Sequence, residues 1–345
     1  MRSTLAVVAL TLVVFVIGAE VMLRAACTYC DYSERNGGAY SSPYRANPAA
    51  GWYHVIAADR DGTYAKPEFD HERRINSLGL RDVEPARDKP AGTFRIIGIG
   101  DSFTEGVGVA LEDSYLNVLA RNLNADPDLV DVSVMSAGVA GSDPIFGYTL
   151  LRDKLLMFEP DLVILTVNES DVSDVIIRGG KERFLSDGSL RQAEPPADEW
   201  LYEVSHFYRF IKMAVLGYDW LHLRRSERKR KISEAVDHIG TAISEFRDLA
   251  SQEGFAFLVV LHPMRHEVIN GEYGFGFKEL KSYLRQHKIP FVDLLPYYLE
   301  RLGQDNETPR SLYWERDGHH NPRGYALFAE GLEAYLREHH MVPGL

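Results

Sequence analysis

Arg95–Val109 reads RIIGIGDSFTEGVGV, an apolar run that passes through two glycines into Asp101-Ser102. The run Phe94–Ile99 has the length and residue types of a strand, and Asp113–Leu123 beyond it has helical spacing. Glycines between a strand and a helix often cradle a phosphate, but here an aspartate occupies that place. The dinucleotide fingerprint fails because Phe103 stands where its third glycine belongs, and no Gly-Lys-Ser/Thr follows to make a phosphate loop. The G-x-S-x-G elbow of α/β-hydrolases fails at Thr104. What remains is a serine at the carboxyl end of a strand. Such a serine needs a base before it can act as a nucleophile.

Working outward, the same alternation repeats. Strand-like runs follow at Leu129–Met135, Asp161–Val167, Phe255–Leu261 and Pro290–Leu294. Amphipathic helix candidates lie at Pro144–Met157, Ile232–Glu253, Phe277–Gln286 and Pro322–Glu338. Strands alternating with helices predict a parallel sheet covered on both faces. Five strands predict a three-layer α/β/α domain with a flavodoxin-like order, whose ligands gather beyond the carboxyl ends of the strands. Ser102 stands at such an end.

A base is available near the end of the chain, in Asp317-Gly318-His319-His320-Asn321-Pro322-Arg323-Gly324-Tyr325. An aspartate two or three residues before a histidine can orient the ring and stabilise its cationic form. Taken alone, the histidine pair also fits an ordinary loop or half of a metal site. The remaining histidines show no ligand spacing to complete one, so no metal is expected.

Together these segments resemble the SGNH hydrolase superfamily, the GDSL esterases. Gly100-Asp101-Ser102-Phe103-Thr104 matches its nucleophile block, and Ser136-Ala137-Gly138 matches the block whose glycine amide serves the oxyanion hole. The resemblance covers roughly residues 91–340. Ile75-Asn76-Ser77-Leu78-Gly79-Leu80-Arg81-Asp82 resembles the lead-in of membrane-anchored members found with envelope polysaccharide genes. It implies a Ser-His-Asp triad acting on acyl esters without metal or organic cofactor, with Ser102 as nucleophile, Asp317 as the acid and the amides of Ser102 and Gly138 as oxyanion donors.

Two departures leave choices open. The family's third block, Gly-x-Asn-Asp, is replaced by Asn168-Glu169-Ser170-Asp171. Ser170 takes the asparagine's position, while Asn168 lies two residues back and faces the same way on extended backbone. Asn168 is the preferred oxyanion donor and Ser170 the alternative. The common Asp-x-x-His spacing selects His320, whereas the His-x-Asn-x-x-Gly run selects His319, with Asn321 and Gly324 as its partners. The resulting Asp-x-His arrangement resembles that of the alginate-acetylation branch, and His319 is preferred. Among lesser candidates, Asp171 and Asp174 are expected to stabilise the turn after the third strand, and Asp293 to cap the segment after the fifth. His262 is expected at the rim, and Arg81 in a contact between stem and domain.

The amino terminus adds location. Thr4–Ala19 is uncharged, and Val21-Met22-Leu23 extend the run past Glu20 to Arg24, about 20 residues and enough to span a bilayer. An uncleaved anchor is preferred over a cleaved signal, although Ala25-Ala26 suits cleavage. The rest of the chain would then lie outside the cytoplasm. Residues 1–26 are thus expected as anchor, 27–90 as a loosely packed stem, and 91–345 as the hydrolase domain. Cys27 and Cys30 are read as incidental or locally paired cysteines of the stem.

An insertion at about 180–231 interrupts the alternation. Within it Glu199–Leu223 carries Trp200, Val204, Phe207, Ile211, Val215 and Tyr218 at helical spacing, followed by the basic run RRSERKRK from Arg224 to Lys231. A helix packing this stripe on the core is preferred to a membrane-surface helix. The formal net charge of −12 excludes a general nucleic-acid binder.

These readings give three functional hypotheses. The first is a membrane-tethered serine esterase acting on small acyl groups, acetyl foremost, of envelope glycans. The second is an O-acyltransferase of polysaccharide modification with the same triad. The third is a non-catalytic glycan-binding or scaffold module. Expected partners are an acyl-ester glycan substrate, the membrane through the amino-terminal helix, and membrane proteins of polysaccharide biosynthesis.

Overall fold

A computed structural model of the chain describes residues 2–26, 62–185, 191, 196–274 and 276–344. In chain order the helices and strands are α1 (Arg2–Ala25), β1 (Gly62–Lys66), β2 (Phe69–Arg73), β3 (Thr93–Gly100), α2 (Ser102–Glu105), α3 (Tyr115–Asn124), β4 (Asp131–Gly138) and α4 (Pro144–Leu150). They continue with β5 (Leu162–Val167), α5 (Glu169–Arg178), α6 (Glu199–Val204), α7 (His206–Phe210), α8 (Arg225–Glu253) and β6 (Ala256–Leu261). Last come α9 (Arg265–Asn270), α10 (Phe277–Gln286), β7 (Phe291–Asp293), α11 (Leu294–Asp305) and α12 (Pro322–Glu338). The chain divides into two compact units, Met1–Pro43 with Gln192–Lys231, and Tyr44–Arg191 with Ile232–Leu345.

The second unit holds the five-stranded sheet, in the order β4-β3-β5-β6-β7 with every neighbouring pair parallel. That is the flavodoxin-like order expected from the alternation. Its middle strands are buried on both faces, as continuous apolar runs such as Leu162–Val167 require. Helix α3 lies so close to β3 that a Cβ at Gly98 would fall 2.3 Å from Leu116 Cδ1. On the same side Tyr115 stacks on Phe328 of α12 with ring centroids 4.2 Å apart.

Helices α10 and α12 begin and end where their spacing puts them. Asn321 caps α12, accepting from Gly324 N at 3.1 Å with Pro322 in the first turn. The expected helix Pro144–Met157 is interrupted instead: a π-turn at Leu151–Leu155 and a 3₁₀ turn at Leu156–Phe158 follow α4. Glu159 closes that segment in the left-handed region, at φ 51°.

The described part of the expected stem, from Gly62 onward, is not loosely packed. β1 and β2 form an antiparallel hairpin, and Ile75, Leu80 and Arg81 behind it are buried. Cys27 and Cys30 lie outside the described residues.

In the first unit α1 is one unbroken helix whose stretch Ala6–Ala25 has mean hydropathy 2.6, long and apolar enough to cross a membrane. Its Glu20 accepts hydrogen bonds from Ser205 Oγ (2.8 Å), His206 N (3.1 Å) and Phe207 N (2.8 Å) at the start of α7. The stripe beginning at Trp200 is unevenly covered, with Phe207, Ile211 and Tyr218 partly buried. Trp200 and Val215 are each 62% exposed, while Glu199, His206, Arg209 and Lys212 are buried. The physical reason is that the buried face is an ion network, with Lys212 paired to Asp198 and His222 Nε2 lying 2.5 Å from Glu199 Oε2.

Candidate active site

The turn after β3 is built around Asp101. Its side chain caps the four-residue helix α2, accepting from Phe103 N at 3.0 Å. Ser102 is the first residue of that helix, so its N–H has no acceptor within the helix. Gly106 ends α2 in the left-handed region, at φ 80°, a conformation that glycine adopts without strain. Gly100 also has to be glycine, because a Cβ there would fall 2.0 Å from Thr166 Oγ1.

The loop before α12 meets this turn. His319 Nε2 lies 2.7 Å from Ser102 Oγ, and His319 Nδ1 is hydrogen-bonded to the Asp317 carboxylate. Burial, the largest influence on Asp317, raises its pKa. The hydrogen bonds and charge of His319 together outweigh it and hold the carboxyl below its usual value. Two backbone bonds fix the loop, Trp314 N to His319 O at 2.8 Å and Gly318 N to Trp314 O at 3.1 Å.

His320 points elsewhere. It is fully buried among Tyr313, Tyr298, Tyr325, Phe103 and Phe328, with Tyr298 Oη 3.3 Å from its Nε2. Desolvation holds its pKa well below the usual imidazole value. Asn321 and Gly324 have structural reasons to follow it: the one caps α12, and the other has Leu312 O 2.1 Å from where a Cβ would be.

Gly138 ends β4, an edge strand. Val139 N bonds Gly100 O, so by the two-residue alternation of a strand the N–H of Gly138 points away from β3. Ser136 N points the same way and finds Asp82 Oδ2 at 2.6 Å. A Cβ on Gly138 would lie 2.0 Å from Glu105 N, so only glycine lets α2 rest on β4.

Asn168 is buried, and its amide donates to Asp101 Oδ2 (2.8 Å) and His262 Nε2 (3.1 Å). Its Oδ1 accepts from Ser170 N at 2.7 Å as the cap of α5. Its amide thus ties the start of α5 to Asp101 and His262. Ser170 Oγ donates to the same Asp101 Oδ2 at 3.0 Å. Asp171, expected at this turn, accepts from Asn168 N at 2.7 Å.

His262 is fully buried, not at a rim. It lies 4.8 Å from the Phe103 ring, and burial lowers its pKa to about 4. The rings of His319 and His320 also flank Phe103, at 4.8 and 5.1 Å. Because His262 and His320 stay neutral near pH 7, a cation on His319 faces no positive imidazole beside it.

Of the supports around this site, sequence reasoning placed Arg81 at a contact between stem and domain and missed Glu68 and Glu105. Glu68, at the tip of the β1–β2 hairpin, accepts from Arg316 N and Asp317 N, both at 2.8 Å. Arg81 gives hydrogen bonds to the carbonyls of Glu105 (2.9 Å), Gly106 (2.7 Å) and Val109 (2.8 Å), gripping the nucleophile turn. Glu105 accepts from Ala140 N at 2.8 Å and pairs with Arg73 at 3.2 Å. Only Arg81-Asp82 carried a signal, through the lead-in segment.

Among the described residues, Glu169, His266 and Glu267 bring possible metal-ligating atoms within 4.8 Å of one another. Glu169 pairs with His266 at 2.6 Å, and the Glu267 oxygens accept from Met264 N and Gly274 N.

No family model matches the chain, and no curated protein matches it. Solved structures that resemble it include a two-domain esterase active on acetylated mannans, with 16% identity and TM-score 0.43, covering 71% of this chain and 49% of that one. The chain therefore spans about half the length of that esterase. A second is an acetyl xylan esterase, with 15% identity and TM-score 0.44, covering 70% of this chain and 100% of that one. A third is a member of the lipolytic protein G-D-S-L family from Veillonella parvula, with 16% identity and TM-score 0.41, covering 71% and 99%. At these values the likeness carries no weight for the chemistry, which rests on the chain's own geometry.

Proposed function

We propose that the chain is a serine esterase of the SGNH type, tethered to a membrane by α1, that removes small acyl groups from glycans. The single observation that carries this reading is the hydrogen-bonded series Ser102 Oγ, His319, Asp317 at the carboxyl end of β3. With Nδ1 donating to the carboxylate, Nε2 is left with its lone pair toward the serine hydroxyl.

Ser102 Oγ attacks the ester carbonyl while His319 Nε2 takes its proton. The carbonyl oxygen becomes an oxyanion, for which the outward N–H of Gly138 and the unbonded N–H of Ser102 are the donors. His319 then protonates the departing sugar oxygen, leaving an acyl-serine. Water adds to that ester with His319 as base, and collapse of the second tetrahedral intermediate releases the acid and restores Ser102. Asp317 remains ionised throughout and holds the ring in one tautomer. Asn168 has an indirect part: it holds the Asp101 carboxylate that caps α2 and so fixes where Ser102 stands.

A glycan substrate rests on the resemblance of Ile75–Asp82 to envelope-polysaccharide proteins. The test is turnover of an aryl acetate and labelling by a fluorophosphonate. Both are expected in the wild-type chain and absent in Ser102→Ala; turnover unchanged by that substitution would remove Ser102 from the mechanism.

A further inference from the structure

Between residues 199 and 216 several charged side chains are buried while several large apolar ones are exposed. Along α6, α7 and the π-turn at Ile211–Val215, the buried positions Glu199, Tyr202, His206, Arg209 and Lys212 recur every three or four residues. That is the period of one helical face, but the face is polar. Its charges are matched within the unit: Lys212 by Asp198 and His222, His222 by Glu199, and Arg209 by the carbonyls of Tyr202 and Glu203. Trp200, Val204, Val215 and Leu216 are exposed instead. In water this arrangement costs twice, by desolvating ions and by exposing large apolar groups. In the interfacial layer of a bilayer the exposed face is the one that gains.

Two further observations say which surface covers it. The same compact unit contains α1, and Glu20 and Arg24 near the end of its apolar stretch bind the α6–α7 junction, Arg24 Nη2 donating to Val204 O at 2.5 Å. Farther down the helix, Phe15 lies edge-on to Phe207 with centroids 6.2 Å apart. The junction is therefore held level with the last turns of the apolar stretch, where a spanning helix leaves the hydrocarbon. Arg224–Lys231 then supplies six basic residues against one acidic, a charge that complements anionic headgroups.

We propose that residues 196–231 form a membrane-embedded platform: the Trp200–Leu216 face lies in the interfacial layer of the bilayer that α1 crosses, with Arg224–Lys231 against anionic headgroups. This rests on the reading of α1 as a membrane span. The platform gives the unit a second attachment beside α1 and restricts its rotation about a single helix.

The test uses the full chain in nanodiscs of phosphatidylcholine and phosphatidylglycerol, with Cys27→Ser and Cys30→Ser as background. Single cysteines at Trp200→Cys, Val215→Cys, Val16→Cys and Lys278→Cys carry an environment-sensitive fluorophore, and thermal melts check that each variant is folded. Lipids with a nitroxide near the headgroup are expected to quench the labels at 200 and 215, lipids with a nitroxide deep in the acyl chain to quench the label at 16, and both to leave 278 bright. Labels at 200 and 215 as bright as at 278, with 16 quenched, overturn the platform while leaving the span intact. If those two labels are also shielded from iodide, a protein covers the face and the lipid assignment is equally overturned. A bright label at 16 overturns the span itself, and the platform with it. Two independent positions keep the test decisive if one substitution unfolds the unit.

Discussion

His319 Nε2 lies 2.7 Å from Ser102 Oγ, although 217 positions separate the two residues. The neighbouring His320 is buried and neutral. His319→Gln is therefore expected to lower kcat by about 10⁴-fold or more with little change in melting temperature. His320→Gln is expected to act mainly on stability, because it disturbs an aromatic cage and the contact with Tyr298. Rates on an aryl acetate together with thermal melts separate the two. Equal kcat losses in both would contradict the assignment of His319 as base.

Asn168 and Ser170 divide along the same line. Asn168→Ala removes two donors and leaves Asp101 Oδ2 and His262 Nε2 short of a partner in a buried setting. A stability loss of about 1–3 kcal/mol is expected, accompanied by slower turnover as the Ser102 turn loosens. A direct oxyanion donor would behave otherwise, costing about 2.7–4 kcal/mol in the barrier while the fold stayed intact. Ser170→Ala, which removes one hydroxyl at the edge of the same cluster, tests whether that hydroxyl reaches the substrate. Denaturant titration beside kcat decides between these outcomes.

Much of this architecture was legible because it follows from local pattern. Continuous apolar runs such as Leu162–Val167 can only be strands buried on both faces, and Asn321-Pro322 announces the start of α12. What escaped depends on contacts distant in sequence. Nothing around Glu68 signals that its carboxylate will meet the amide of Asp317, 249 positions away. The buried face of Glu199–Leu223 was hidden from the sequence for a different reason. Its apolar residues have core-like spacing, whereas the buried side carries pairs between Lys212, Asp198, His222 and Glu199 that lie up to 23 positions apart. Strand alternation also gave no sign that the backbone turns into α5 at Asn168, whose side chain meets Asp101.

Asp82 gives a pH-dependent prediction. Burial, opposed by hydrogen bonds from Ser136 and Val83 and by the Arg81 charge, raises its pKa from 3.8 to about 6. Between those values the unfolded chain binds fewer protons than the folded one, so stability contributed by this group is full below about pH 4 and is lost as pH rises through about 6. Asp82→Asn keeps an oxygen that can accept from Ser136 N and removes the titration. Melting temperature plotted against pH is expected to fall less steeply between pH 4 and 6 in the variant than in the wild type. Parallel curves would show that Asp82 does not titrate in this window.

The hairpin of β1 and β2 supplies the last prediction. The Glu68 carboxylate takes the backbone N–H groups of Arg316 and Asp317, and thereby holds the peptide that carries the third member of the Ser102–His319–Asp317 series. A carboxylate that orients an imidazole must itself stay in place, because displacement by about 1 Å can cost 10²-fold in rate. Glu68→Ala is therefore expected to lower kcat about 10- to 100-fold with KM nearly unchanged. Glu68→Gln should recover part of the loss, because its amide oxygen can still accept one of the two N–H groups. A purely structural role would instead lower the melting temperature of both variants and leave kcat of the folded fraction as it was. The kcat and KM of both variants, measured on an aryl acetate beside their melts, distinguish a hairpin that positions Asp317 from one that only covers the domain.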